Sequence, residues 1–280
     1  MSRFGRFCAL ALVLGAVACG SNPTLRQRAA LLVEKGQSVE AARLLQEHVE
    51  RHPQANAERR LLIRVYGSTG NLARARAEAE KLAARLGPGR PEPWLELGHA
   101  YELAHRYEEA LALYDRAASD APRDPAGPRT AGLRSARWGE VELAAPRLEE
   151  ALRRDSRDAK VWHALGLVRA RLGDIDGARV AYESGLRADP AALENRLGLA
   201  TLAVLVGDAS RALAEYEKIA AARPALADAH LGRSWALMQL GRYAEAERVL
   251  GTAERLGADR RALQTQRRRL AELRGSKESN

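Results

Sequence analysis

Cysteine is nearly missing from this chain of 280 residues: there are two, Cys8 and Cys19, both close to the N-terminus. A disulfide network is therefore excluded, and stability has to come from packing. Aromatic residues make up only 5%. The short signatures of common chemistry are absent as well. No Gly-x-Ser-x-Gly elbow, phosphate-binding glycine loop or His-Glu-x-x-His stretch occurs, so nothing offers a seat for a nucleophile, a nucleotide or a catalytic zinc. His48 and His52 share an i, i+4 spacing but have no third ligand near them in sequence, which reads as a pair of surface side chains. The pairs Glu108-Glu109 and Glu149-Glu150 fit the solvated side of a helix. No enzyme activity, cofactor or metal is expected. Lysine is scarce too, at 5 against 40 arginines, as in proteins from GC-rich genomes. The formal charge is +9, or 9 − 2 = +7 once Arg3 and Arg6 are left out. The arginines are spread along the chain, with one tight cluster at Arg267-Arg268-Arg269, a distribution that does not point to nucleic acid.

What is present is a period. Gly36, Gly70, Gly139, Gly173, Gly207 and Gly241 fall 34 residues apart or at a near multiple of it. A fixed period of this length signals stacked helical hairpins, with a surface for binding as the usual product. Seven units follow, 22–55, 56–89, 91–124, 125–158, 159–192, 193–226 and 227–260, with one extra residue near Arg90. The third unit carries Trp94, Leu97, Gly98, Tyr101, Ala110, Tyr114, Ala117 and Pro122 at positions 4, 7, 8, 11, 20, 24, 27 and 32. The fifth carries Trp162, Leu165, Gly166, Gly173, Ala178, Tyr182, Gly185 and Pro190. Large residues at 4, 7, 11 and 24 fill the seam of a hairpin, and small ones at 8, 20 and 27 let the helix axes approach. Glycine at 15 ends the first helix, and proline at 32 (Pro53, Pro122, Pro190, Pro224) stops the second.

This pattern resembles the tetratricopeptide repeat (TPR) over residues 22–260. The resemblance implies an all-α, right-handed superhelical solenoid of about seven helix-turn-helix repeats. Arg261–Arg274 reads as a C-terminal capping helix with Ala262, Leu263, Leu270 and Leu273 as its apolar residues, and 275–280 as a polar, disordered tail. Several positions depart from the pattern. His105 replaces the turn glycine of the third unit, where strain is expected, and Arg28 stands at position 7 of the first. Arg233 takes the core position 7 of the last unit and is expected to distort that hairpin, while Pro146 is expected to kink a second helix. Gly87-Pro88-Gly89-Arg90-Pro91 reads as a flexible joint dividing two repeats from five.

The first residues are of another kind. Arg3 and Arg6 precede an uncharged apolar run, Phe7–Ala18, too short to span a bilayer and typical of a signal peptide, here 1–18. Ala16-Val17-Ala18-Cys19 resembles a lipobox, which implies a lipidated Cys19 followed by a short tether, 19–24. An ordinary signal cleavage beside a free Cys19 is the alternative. Gly20 after the cysteine favours, by resemblance to enterobacterial lipoproteins, an outer-membrane location facing the periplasm.

In TPR proteins positions 2, 5, 9, 12 and 13 face a groove. Carried over, they give Arg60, Arg64, His99, Glu102, Arg129, Arg137, Lys160, His163 and Arg171, then Leu197, Val204, Leu205, Leu231, Trp235 and Met238. A groove passing from basic to apolar suits a peptide with an acidic segment and an apolar anchor, with Trp235 and Met238 as the expected anchor pocket; packing of the two against neighbouring helices and the cap is the alternative. The architecture resembles pilotin lipoproteins, which accompany a type IV pilus secretin to the outer membrane. Two other readings stay open: a scaffold in another envelope machine (motility, peptidoglycan synthesis, polysaccharide export), and a binder of an anionic envelope polymer.

Overall fold

The computed structural model describes residues 23–278, with side chains to Gly275. The signal segment 1–18, Cys19 with most of its tether, and residues 279–280 lie outside the described residues. Everything described is helix or turn. Seven hairpins follow one another: α1 (Leu25–Glu34) with α2 (Ser38–Arg51), α3 (Asn56–Ser68) with α4 (Leu72–Leu86), α5 (Glu92–Leu103) with α6 (Tyr107–Asp120), and α7 (Ala126–Trp138) with α8 (Val141–Arg154). They continue with α9 (Ala159–Arg171) and α10 (Ile175–Ala188), α11 (Leu193–Leu205) and α12 (Ala209–Ala222), and α13 (Ala227–Gln239) and α14 (Tyr243–Arg255). A last helix, α15 (Arg260–Glu278), runs four residues past Arg274, where its apolar pattern ends. The chain forms two compact units, one to Ala131 and one from Gly132, so the division falls inside α7. It does not fall at Gly87–Pro91, across which α5 packs on both α3 and α4.

The local chemistry of each hairpin is short-range. The turn glycines take positive φ, from 70° at Gly241 to 93° at Gly139, a region that costs a side chain energy. Several are followed at once by an Asx residue that caps the second helix: Asn71 accepts from the Arg74 amide at 3.3 Å, Asp174 from Gly177 at 2.9 Å and Asp208 from Arg211 at 2.9 Å. One dipeptide thus ends a helix and starts the next. At the third unit His105 is held at φ 60°. The closing bond is kept, Arg106 amide to Tyr101 carbonyl at 2.9 Å, as is its counterpart from Asn71 to Tyr66 at 2.8 Å. The turn therefore forms at the expense of a strained residue.

Between the two helices of a hairpin, rings lie on bare backbone. Tyr114 and Tyr182 are fully or almost fully buried. A Cβ placed on Gly98 would stand 2.4 Å from Tyr114 Cε1, and one on Gly166 equally close to Tyr182. A Cβ on Gly198, on the first helix of the next hairpin, would stand 2.5 Å from the same ring. Burial raises the Tyr182 phenol to about 12.

Position 4 has a task that its apolar reading missed. Arg59 donates to the Pro53 carbonyl at 2.9 Å, Trp162 to Ser156 at 2.8 Å, and His230 Nε2 pairs with Pro224 at 3.0 Å. Arg196 reaches Pro190 at a longer 3.5 Å. Each donor reaches the carbonyl six residues earlier, where the preceding hairpin ends, and so ties consecutive hairpins together. Where arginine fills the position it is also ion-paired inside its unit. Arg59 holds Glu78 at 3.0 Å and Arg196 holds Glu215 at 3.2 Å, with Lys81 and Lys218 on the same carboxylates.

Neither Pro146 nor Arg233 breaks its element. α8 runs unbroken through Pro146, which is exposed, so the Glu142 carbonyl deprived of its helical donor can turn to water. α13 and α14 pack as a regular hairpin in spite of the half-buried Arg233, and Ser234 Oγ donates across it to the Ala246 carbonyl at 3.3 Å.

His105→Gly should raise the melting temperature, gaining about 0.5–1 kcal/mol from released backbone strain. Gly98→Ala should cost about 1–3 kcal/mol by forcing Tyr114 aside. Thermal unfolding followed by circular dichroism checks both signs.

Candidate functional site

The faces of the first helices carry the candidate residues, and each compact unit has its own. In the unit ending at Ala131, α3 places Arg60 and Arg64 one helical turn apart, and α5, packed on α3, brings Glu96 up between them. Arg60 Nε lies 2.9 Å from Glu96 Oε1, and Arg64 Nη2 lies 2.8 Å from the same oxygen. Arg64 Nε closes on Oε2 to complete a bidentate pair. The Glu96 side chain is 3% exposed while those of Arg60 and Arg64 are 45% and 42% exposed. The carboxylate is therefore the floor and the guanidinium groups are the rim.

Burial alone would raise the Glu96 carboxyl, but His99 and the two arginines beside it hold it down at about 2. His99 Nδ1 stands 3.8 Å away, beyond hydrogen-bond reach, so the arginines carry most of the lowering. The His99 ring meets Tyr114 edge-on with centroids 5.5 Å apart, and Tyr114 donates to Glu102 Oε2 at 3.0 Å. Arg60, Arg64 and His99 are thus gathered, Glu102 is engaged beside them, and Arg129 is exposed on α7. Glu96 sits at repeat position 6, outside the groove positions, and sequence reading passed it over. The signal was available: a carboxylate inside an otherwise apolar helix run needs a buried cation.

In the unit starting at Gly132, Arg137, Lys160 and Arg171 are exposed. His163 is half-buried with its ring 5.9 Å from Tyr182, and burial pushes its pKa down. Leu197 and Val204 are half-buried on α11, and Leu205 at its end is 65% exposed. The expected anchor pocket on α13 is closed. Leu231 is 8% exposed and Met238 2%, in a core shared with Leu263 and Leu270 of α15, with Trp235 partly buried against it. Gln266 of α15 donates to the Leu231 carbonyl at 3.1 Å. The cap covers these residues because its apolar stripe needs the same surface that a ligand would use. Among the described residues no three His, Cys, Asp or Glu side chains gather as metal ligands. His48 and His52 lie 4.5 Å apart, ring to ring. No described helix is long and apolar enough to cross a membrane.

Family models described as Tetratricopeptide repeat match residues 26–91, 61–128 and 132–192, and another of the same description matches 203–270. No curated protein matches the chain. Among solved structures it is similar to the C-terminal part of a TPR repeat-containing protein from Cytophaga hutchinsonii, at 15% identity and a TM-score of 0.65, covering 86% of this chain and 98% of that one. YrrB, a TPR protein with an unusual peptide-binding site, is 19% identical with a TM-score of 0.55, over 63% of this chain and 91% of its own. MamA is 16% identical with a TM-score of 0.56, over 59% of this chain and 91% of its own. At these identities the likeness is one of fold.

Because the Glu96 carboxyl is depressed from 4.5 to about 2, it stabilises the fold above about pH 4.5, and that contribution disappears as pH falls towards 2. Glu96→Gln should remove this acid limb and cost about 3 kcal/mol at neutral pH, since two cations lose their buried partner. Urea unfolding between pH 2 and 7 reads both effects.

Proposed function

We propose that this chain, which belongs to the tetratricopeptide repeat family, is a non-enzymatic scaffold holding a protein partner on its first-helix faces. The observation that carries this is the end of α11. Leu205 and Val206 are 65% and 57% exposed, beside half-buried Leu197 and Val204. Arg171 holds the same repeat position as Leu205 on α9, which packs against α11. An aliphatic patch one repeat along from an exposed cation at the same repeat position suits a peptide with an apolar anchor and an acidic flank. The anchor role passes to these α11 residues, because α15 covers Leu231 and Met238.

The finer reading is an envelope lipoprotein. Ala16-Val17-Ala18-Cys19 supports attachment through acyl chains on Cys19, with the repeats facing the periplasm from the outer membrane. In that place the partner is a secretin subunit whose assembly the chain supports, as pilotins do. Crosslinking in envelope membranes tests it, comparing wild type with Cys19→Ala and Leu205→Glu. A secretin recovered with wild type and lost with Leu205→Glu, together with loss of secretin multimers in Cys19→Ala, is the expected outcome. Recovery of other envelope proteins with secretin assembly intact would assign the scaffold to another machine.

A further inference from the structure

The segment with the extra residue, between the second and third hairpins, borders an open cavity. Ala83 and Ala84 of α4, Pro88 and Arg90 of the segment, Trp94 of α5 and Asp120 of α6 line it, around a volume of about 440 Å³. That is within the range of ligand sites. Trp94 is the unusual member. At the same repeat position Trp162 donates its indole N–H to the Ser156 carbonyl, six residues earlier. Six residues before Trp94 stands Pro88, inside the inserted segment, and there the bond is not made. Trp94 is only 6% exposed, yet its N–H has no hydrogen-bond partner among the described residues. The nitrogen is nevertheless not sealed from solvent, and the cavity is the opening that this ring borders. Buried indoles ordinarily find an acceptor. The ring is held without one, because the Arg116 guanidinium lies 3.5 Å over its face.

We propose that this cavity is a second docking site, for a neutral, proline-containing segment of a partner protein, and that Trp94 donates to one of the segment's carbonyl groups. This rests on the reading of the chain as a protein scaffold, but it uses none of the groove residues named above. The charges at the rim are paired within the chain: Arg90 lies 2.6 Å from Glu92, and Asp120 lies 3.7 Å from Arg116. A charged ligand therefore meets no uncompensated partner. What is unmet is one N–H donor beside the apolar surfaces of Ala83, Ala84 and Pro88. Its complement is an acceptor carried on an apolar body. A prolyl residue has that form, with a ring of methylene groups and no N–H to be left unpaired against methyl groups. Proline-rich segments also arrive extended, with their carbonyl groups free of internal bonds and little conformational freedom to lose.

The probe is decaproline, added to the full-length protein. The chain has four tryptophans, so nitrogen-15 spectra should show four indole N–H signals, and Trp94→Phe assigns the one in question. Decaproline should move the Trp94 signal and leave those of Trp138, Trp162 and Trp235 in place. Anisotropy with fluorescein-labelled decaproline gives the affinities. Trp94→Phe keeps a ring and loses the N–H, and should weaken binding about fivefold. Ala84→Leu, at an exposed position of α4, puts a larger side chain into the cavity and should weaken binding about tenfold. Circular dichroism checks that both variants fold; if Trp94→Phe does not, Ala84→Leu decides. A Trp94 signal that stays in place, or a folded Ala84→Leu variant that binds as well as wild type, overturns the proposal. Equal binding of a Gly-Ser peptide of the same length overturns the assignment to proline. Preferential binding of decalysine, lost in Asp120→Asn, would make this a cation site instead. No decaproline binding, with a partner still crosslinked and released by Leu205→Glu, removes this site and leaves the scaffold. Decaproline binding abolished by Ala84→Leu, with no secretin crosslinked, supports the site and removes the envelope reading alone.

Discussion

In the third and fifth hairpins the distance between the two helices is set by a tyrosine ring lying on glycine backbone, and the face those hairpins present depends on that distance. With Tyr114 on Gly98 and Tyr182 on Gly166 and Gly198, no atom separates ring from main chain. A methyl group there would push the helices apart. That spacing fixes α5 against its partner helix, while α3 approaches α5 through Gly67, where a Cβ would stand 2.4 Å from the Ala100 backbone, and the close approach brings Glu96 between Arg60 and Arg64. The chemistry of the face is thus downstream of a packing rule repeated along the chain. An array with no disulfide depends on it all the more, since each hairpin is supported only by its neighbours.

Charge is handled in two ways. On the outer sides of second helices, ion pairs such as Arg242 with Glu245 are exposed and local, worth little each. Inside the units the carboxylate of the pair is buried. Glu78, Glu96 and Glu215 each lie buried against arginine, and each would be costly without it. The difference explains how an arginine-rich chain can place cations within its packing, where the long stem fills space and the head meets a carbonyl or a carboxylate.

The fold was legible because its determinants are local and periodic. Turn glycines, small residues at positions 8 and 20, and rings at 24 recur at fixed spacing, and each acts within its own hairpin or on the next one. The site was less legible. Arg60, Arg64 and His99 were picked out by position, but Glu96 lies one position off the facing set, and its role depends on an arginine 32 residues away. Met238 and Leu231 carried the same positional signal as Leu205, yet α15 covers the first two and leaves the third exposed. Whether a helix face is open depends on what the chain does next, and a repeat pattern holds no record of its own end. The turn at His105 formed in spite of a poor residue, because bonds on both sides of it were already in place.

The bond from position 4 to the carbonyl six residues earlier has a bearing on how such a chain can change. Tryptophan, arginine and histidine all serve, although they share neither shape nor charge; what they share is an N–H at the end of a side chain long enough to reach. At these junctions the position is in this sense a degenerate code that reads the placement of a donor, whereas the fourth hairpin has Pro128 there and joins the third without such a bond. Hairpins coded this way can be duplicated, deleted or exchanged as cassettes without matching their neighbours residue by residue. At the one junction carrying an extra residue, Trp94 is occupied differently, with the Arg116 guanidinium 3.5 Å over its ring. An insertion of this kind is tolerated where the indole has found another cation to hold it, which makes position 4 the place to look for the history of added and lost repeats.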